Sequence, residues 1–154
     1  RNAEEELRSD NVKVEEIRMR EIGFNQKDLN TDLSLRVVEY NASKGKEFFL
    51  QMVNKDNILF GLLRLRFPSE TFLEGLENSA IVREIHVYGQ ALKLGEAGEL
   101  SQHKGLGKML LAKAEEISKE NNFEKISVIS GIGVRQYYRK LGYSLKGTYM
   151  VKNL

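Results

Sequence analysis

The 154 residues include no cysteine, one proline and two histidines. Without cysteine the chain holds no disulfide, thiolate zinc site or iron–sulfur cluster of its own. With so few histidines a metal site has little support, and none is expected. No apolar run approaches the roughly 20 residues of a membrane-crossing helix, and no signal-peptide pattern opens the chain. A cytoplasmic protein without membrane contact is expected. An excess of one charge is missing as well: 24 Lys and Arg against 22 Asp and Glu leave a formal +2. That balance argues against a general polyanion binder. The length suits one domain with a real core. The first residue is arginine, not methionine, so a piece of a longer chain is expected.

Charge is distributed unevenly. Residues 1–21 carry seven Asp and Glu against five Lys and Arg, whereas from Lys125 onward there are six Lys and Arg and no acid. A one-sign segment of this kind points to a basic face able to meet phosphate groups.

Residues 1–30 are polar with scattered apolar spots. They read as a short helix and an irregular lead-in, a linker from a missing N-terminal domain, before a domain over 31–154. Alternating and β-branched residues predict strands over 33–40, 47–53, 58–67 and 80–88. The first three form an antiparallel meander that ends at Pro68. A glycine-containing loop over 89–101 precedes a helix over 106–121, whose Leu106, Leu110, Ala114 and Ile117 recur at helical spacing. A buried strand over 126–130, a short helix over 134–141 stopped by Gly142, and strands over 143–146 and 149–152 complete the chain. The order is that of a mixed α/β domain. The helix from 106 should cross between two adjacent parallel strands, and a sheet splayed there would leave a cleft.

Several residues could carry chemistry. Gln102-His103-Lys104-Gly105-Leu106-Gly107 lies between a strand with its loop and an amphipathic helix. Two glycines one residue apart let backbone approach a ligand closely, and the helix start offers unpaired N–H groups with partial positive charge. Together they make a phosphate cradle. It is not a P-loop, since Lys108 is followed by Met109 and Gln102 stands where the first glycine should be. Gly131-Ile132-Gly133-Val134-Arg135-Gln136 starts like a dinucleotide fingerprint but fails at its last position and has no acidic residue after it. His103 and Lys104 could reach phosphate. In strand 80–88, strict alternation puts Ile81, Arg83, Ile85 and Val87 on one face and Val82, Glu84, His86 and Tyr88 on the other. Glu84 and His86 are candidate general bases, Glu84 if burial raises its pKa. If the neighbouring strand splays away, the backbone here stays free, and an N–H near Ile85 or Val87 could serve as an oxyanion hole. Tyr137 and Tyr138 point about 100° apart on their helix, so one should pack in the core and the other face the cleft. A phenol is a suitable acid for a departing thiolate of similar basicity.

The strand, Q-x-x-G-x-G, helix order resembles the pyrophosphate loop of acetyl-CoA-dependent acyltransferases of the GNAT superfamily. The run 83–89, the loop 102–107, the run 128–143 (Val-Ile-Ser-Gly-Ile-Gly-Val-Arg-Gln-Tyr-Tyr-Arg-Lys-Leu-Gly-Tyr) and Tyr149-Met150-Val151-Lys152 resemble, more specifically, the acetyltransferase domain of the Elongator catalytic subunit family, over roughly residues 17–154. The resemblance implies a GNAT-like fold, a mixed and mostly antiparallel sheet splayed into an acetyl-CoA cleft and flanked by helices. It implies acetyl-CoA contacts from Glu84, Ile85, His86 and Val87, from Gln102, His103, Lys104, Gly105, Leu106, Gly107 and Lys108, and from Tyr137 and Tyr138. Tyr138 is then the leading candidate for acid or thioester-positioning group, ahead of His86 and Glu84. It also implies modification of carbon 5 of the tRNA wobble uridine, with tRNA and Elongator-type subunits as partners. S-adenosylmethionine and a 4Fe–4S cluster are expected only in a radical-SAM domain outside this chain. Ile17-Arg18-Met19-Arg20-Glu21 has methionine where the family carries cysteine. The turn between the first two strands is shorter than the helical insertion common in the superfamily, which leaves an open cleft for a large substrate. Protein lysine acetylation, or acetyl-CoA and tRNA binding without catalysis, are the alternative functions.

Overall fold

The apolar alternation of the first half resolves into four neighbouring antiparallel strands. In the computed structural model, which describes residues 16–24, 30–71, 74–88 and 105–154, these are β1 (Ser34–Ala42), β2 (Gly45–Val53), β3 (Leu59–Phe67) and β4 (Ser79–Val87). β1 and β2 meet in a two-residue turn at Ser43 and Lys44, whose φ of 45° and 61° is the left-handed backbone that matches hairpin twist. No helix intervenes, as the short turn implied.

Ahead of the sheet lie a one-turn helix, α1 (Ile17–Arg20), and a 3-10 turn (Ile22–Phe24). Glu21 bridges to Leu59, Arg20 donates to the Asn57 carbonyl and amide oxygens at 3.0 and 2.7 Å, and Ile22 is buried in the core. Part of the lead-in is therefore docked on the domain.

α2 (Leu106–Glu120) carries the chain across, and β5 (Lys125–Ile129) pairs parallel with β4. A 3-10 turn (Ile132–Val134) leads into α3 (Arg135–Lys140), which Gly142 ends at φ 89°. β6 (Ser144–Lys146) and β7 (Tyr149–Asn153) close a seven-stranded sheet in the order β1-β2-β3-β4-β5-β7-β6. Strand ends fall within a residue or two of the sequence expectation, the usual scatter of boundaries.

α2 buries Leu106, Leu110, Ala114 and Ile117, as its spacing predicted, together with Leu111 and Ser118. Each fully buried leucine contributes about 1.5–3 kcal/mol. A Cβ on Gly61 would lie 3.5 Å from Leu110 Cδ1, so glycine lets the helix settle closely on β3.

The expected alternation in β4 fails at one point. Arg64 pairs with Glu84 but Leu65 pairs with Val82, so Arg83 is the extra residue of a β-bulge. The bulge moves Val82 onto the α2 side with Ile85 and Val87. It leaves Ile81, Glu84 and His86 on the opposite side, where Arg83 also reaches. Alternation holds only while pairing is one to one, and the bulge breaks that count.

Candidate active site

β4 and β5 pair only from Ser79 and Lys125 to Val82 and Val128. At that end the buried hydroxyls of Ser79 and Ser127, 2.7 Å apart, tie the strands together. Beyond Val82, β4 continues to Val87 while β5 stops at Ile129. The backbone of residues 83–87 therefore has no partner strand on its β5 side among the described residues. A cavity of about 230 Å³ opens in the crevice, lined by residues 82–85 of β4 and, facing them, by Val128, Ser130, Val134 and Tyr138 among others. Ser130 Oγ is buried with no hydrogen-bond partner.

The start of α2 stands at the open end of β4. An ideal Cβ on Gly107 would come within 3.7 Å of Val87 Cγ2 and 3.0 Å of Tyr137 Oη. Glycine is what lets helix, strand and tyrosine meet there. Gly105, at φ 96°, takes the N-cap position with no side-chain capping bond, and no acidic residue lies in the first turn. The first intrahelical bond runs from Met109 N–H to the Gly105 carbonyl, so the amides of 106–108 precede the bonded ladder. Among the described residues the helix start has no side-chain cap and no carboxylate in its first turn, which leaves its donors and partial positive charge available for an anion.

α3 separates the two tyrosines as its geometry requires. Tyr138 is 5% exposed, packed edge-on against Tyr137 and Tyr143 with centroids 5.3 and 5.7 Å away, yet it lines the cleft. Burial, and then the neighbouring Tyr137, raises its pKa above the ordinary phenol value. The phenol thus stays protonated through the neutral range, fit to hold a hydrogen bond towards a sulfur or carbonyl. Tyr137 is more exposed, and its hydroxyl hangs over Gly107. Tyr143 braces the pair from below. It donates to Glu115 Oε1 at 2.8 Å, and Lys152 reaches Glu115 Oε2 at 2.6 Å.

The other candidates are distributed as follows. Ile85 and Val87 are half-buried; Ile85 lines the cleft, and Val87 packs by Gly107 at the helix start. Leu106 points into the core, so only its backbone can face a ligand, while Lys108 is exposed. The Glu84 side chain is 50% exposed, 3.9 Å from Arg64, so the burial that a base role presupposed is not there. His86 is exposed, its ring 4.7 Å from that of Tyr88. Gln102, His103 and Lys104 lie outside the described residues. Of the basic C-terminal residues, Lys125 and Lys152 pair with Glu77 and Glu115, while Arg139, Lys140 and Lys146 are exposed. The unpartnered Ser130 hydroxyl was missed from sequence. Its only signal was a serine between an apolar strand and Gly131.

The chain matches a known family over most of its length. Its model, described as the acetyltransferase (GNAT) family, matches residues 11–143. The chain belongs to the GNAT acetyltransferase family. Within it, the chain matches the GNAT domain of the Elongator protein 3 type. It is 44% identical over 156 residues to the tRNA uridine(34) acetyltransferase of Dehalococcoides mccartyi, covering 96% of this chain and 34% of that protein. It is 43% identical over 148 residues to Elongator complex protein 3 of Homo sapiens, covering 93% and 27%. The archaeal Methanocaldococcus infernus Elp3, solved with an N-terminal deletion, superposes with a TM-score of 0.82 at 37% identity, over 97% of this chain and 38% of that one. A coenzyme A complex of the paiA N-acetyltransferase from Thermoplasma acidophilum, 21% identical with a TM-score of 0.51 over 70% of this chain and 61% of that one, shares the fold. This GNAT chain thus spans about a third or less of the length of the curated relatives quoted.

Proposed function

We propose that this GNAT domain binds acetyl-CoA between β4 and β5 and is the acetyl-CoA half of an enzyme modifying carbon 5 of the tRNA wobble uridine. A radical-SAM domain outside this chain would supply the radical chemistry, using S-adenosylmethionine and an iron–sulfur cluster. The observation that carries the reading is a helix start with no side-chain cap standing at Val87, the end of a strand edge that is unpaired on its β5 side among the described residues. The orphaned Ser130 hydroxyl is a further polar atom in the cleft for a ligand to satisfy. The cofactor supplies an acetyl group activated as a thioester.

The amides of 106–108, approached closely at Gly105 and Gly107, would hold the pyrophosphate, with Gln102, His103, Lys104 and Lys108 around it. The free backbone of 83–87 would pair with an extended pantetheine arm as an added strand does. An N–H near Ile85 or Val87 would polarise the thioester carbonyl. Tyr138, kept protonated by burial, would position the carbonyl or protonate the departing sulfur, and Tyr137 would border the phosphate end. His86, exposed on the far face of β4, would take up an acceptor proton; Glu84, half-exposed, lacks the burial that would make it the base and would border the acceptor instead. The identity to a tRNA uridine(34) acetyltransferase and to Elongator complex protein 3 supports tRNA and Elongator-type subunits as partners in the cytoplasm. The exposed Arg139, Lys140 and Lys146 suit a tRNA-facing surface.

Isothermal titration of the chain with acetyl-CoA, repeated on Gly107→Arg, tests the cofactor site. Binding that the substitution abolishes supports it; equal binding by both proteins removes the helix start from the site. Hydrolysis of acetyl-CoA stimulated by tRNA would support the tRNA reading. Acetylation of a peptide lysine with no tRNA present would replace it with protein acetylation.

A further inference from the structure

On the sheet face away from α2, a buried carboxylate organises three arginines. The Glu47 side chain is 3% exposed. Its Oε2 accepts from Tyr40 Oη at 2.9 Å and Arg64 Nη2 at 3.3 Å. Its Oε1 accepts from Arg83 Nη1 and, at 3.4 Å, from Arg66 Nη1. Arg66 also donates to the Ala42 and Ser43 carbonyls at 2.6 and 2.9 Å and so clamps the β1–β2 turn. The other two guanidiniums are only partly used. Arg64 and Arg83 are 35% and 49% exposed, and an arginine carries five N–H donors in a rigid fork.

This arrangement does more than hold strands together. A buried carboxylate that fixes the inner edge of a guanidinium holds the outer edge in a set position, which lowers the entropy lost on binding an anion. Arg83 is the bulge residue and also lines the cleft, so the patch is continuous with the proposed reaction site. Three guanidiniums face two carboxylates here, Glu47 and the half-exposed Glu84. Arg36, opposite Gln51 in the sheet, adds a further exposed cation on the same face. Among the described residues the balance on this face is positive, and no helix between β1 and β2 covers it.

We infer that the outer edges of Arg64 and Arg83, set in place by Glu47, contact the phosphodiester backbone of the acceptor polynucleotide as it reaches the cleft. The choice of polynucleotide over another polyanion rests on the proposed tRNA function; the anion-binding patch rests on the arginine geometry.

The test is the salt dependence of binding of a synthetic anticodon stem–loop RNA, followed by fluorescence anisotropy, for the unmodified chain and for Arg64→Gln, Arg64→Lys and Arg83→Gln. Each lost phosphate contact should lower the slope of log K against log salt by about 0.7–0.9. Arg64→Gln and Arg83→Gln should each show that drop, and Arg64→Lys, which keeps the charge, should restore the slope. Acetyl-CoA titration of Arg64→Gln should match the unmodified chain, showing that the fold and the cofactor cleft persist. An unchanged slope in both glutamine variants overturns the inference, as does absence of RNA binding by the unmodified chain. Equal displacement of the RNA by polyglutamate overturns the choice of partner in favour of an acidic protein. Failure of the unmodified chain to bind acetyl-CoA would sink the cofactor reading and leave the RNA slopes interpretable.

Discussion

Glu47→Gln should destabilise the domain by about 2–4 kcal/mol, a large effect for an isosteric change. Glutamine fills the same volume but turns one acceptor oxygen into an NH₂ group facing donors from Tyr40 and Arg64, or from Arg83 and Arg66. Removing one partner of a buried ion pair costs about 3–5 kcal/mol. The lower figure applies because Arg64 and Arg83 are 35% and 49% exposed and can turn to water, while Arg66 keeps two backbone carbonyls. For a domain of this size that corresponds to a melting temperature lower by roughly 4–15 °C. The pH dependence has a definite sign. Burial alone would raise the Glu47 carboxyl, but hydrogen bonds from Tyr40, Arg83 and Arg64 outweigh it and hold the carboxyl below its ordinary 4.5. A depressed folded-state value gives stability that is present above 4.5 and lost as pH falls through that lower value. Thermal melts across pH should show the full gap between the proteins at neutral pH and a shrinking gap below pH 4.5. A variant melting within about 1 °C of the unmodified chain at neutral pH, or a gap unchanged in acid, would refute the reasoning.

Three further outcomes follow from the same geometry. Gly107→Ala should leave the melting temperature nearly unchanged, because helix propensity of up to about 1 kcal/mol is offset by crowding against Tyr137 Oη at 3.0 Å. Its acetyl-CoA affinity should fall about tenfold or more, the worth of one charge-assisted hydrogen bond; unimpaired titration would place the phosphates elsewhere. Ser79→Ala should cost about 1–3 kcal/mol by orphaning the buried Ser127 hydroxyl, Ser127→Ala less because Ser79 keeps the Ala80 carbonyl at 3.0 Å, and the double variant less than the sum; strict additivity in urea unfolding would show that the 2.7 Å contact contributes no coupling. Tyr143 has its pKa raised above the ordinary 10.0 by burial and then by Glu115, so its contribution is complete below pH 10 and lost as pH rises further. Tyr143→Phe should flatten the alkaline decline in urea midpoint, and an unaltered decline would assign it to other groups.

Much of the fold was legible because hydrophobic period and glycine placement report on local backbone. Leu106, Leu110, Ala114 and Ile117 all face the sheet, Gly142 ends its helix in the left-handed region, and the strand order around α2 is the one that a parallel crossover demands. The glycine-bordered helix start was legible for the same reason: Gly105 takes the left-handed N-cap and Gly107 lets helix, strand and tyrosine approach closely. Strict alternation in β4 failed because a bulge is decided by the partner strand, and no residue in the run 79–87 announces it. Tyr137 and Tyr138 could be told to diverge but not assigned, since burial depends on where α3 lands against Tyr143 and Gly107.

Local chemistry in the chain therefore determined the elements, the splayed parallel pair and the glycine-bordered helix start, because each depends on periodicity or on a missing Cβ within a few residues. The tertiary structure alone decided which groups became buried partners. Glu47, an unremarked acid in a strand, became the anchor of Tyr40, Arg64, Arg66 and Arg83, and Ser130 became an orphaned donor in the cleft. Burial and pairing across strands far apart in the chain depend on sheet register and on the bulge, and those exist only once the whole sheet has formed.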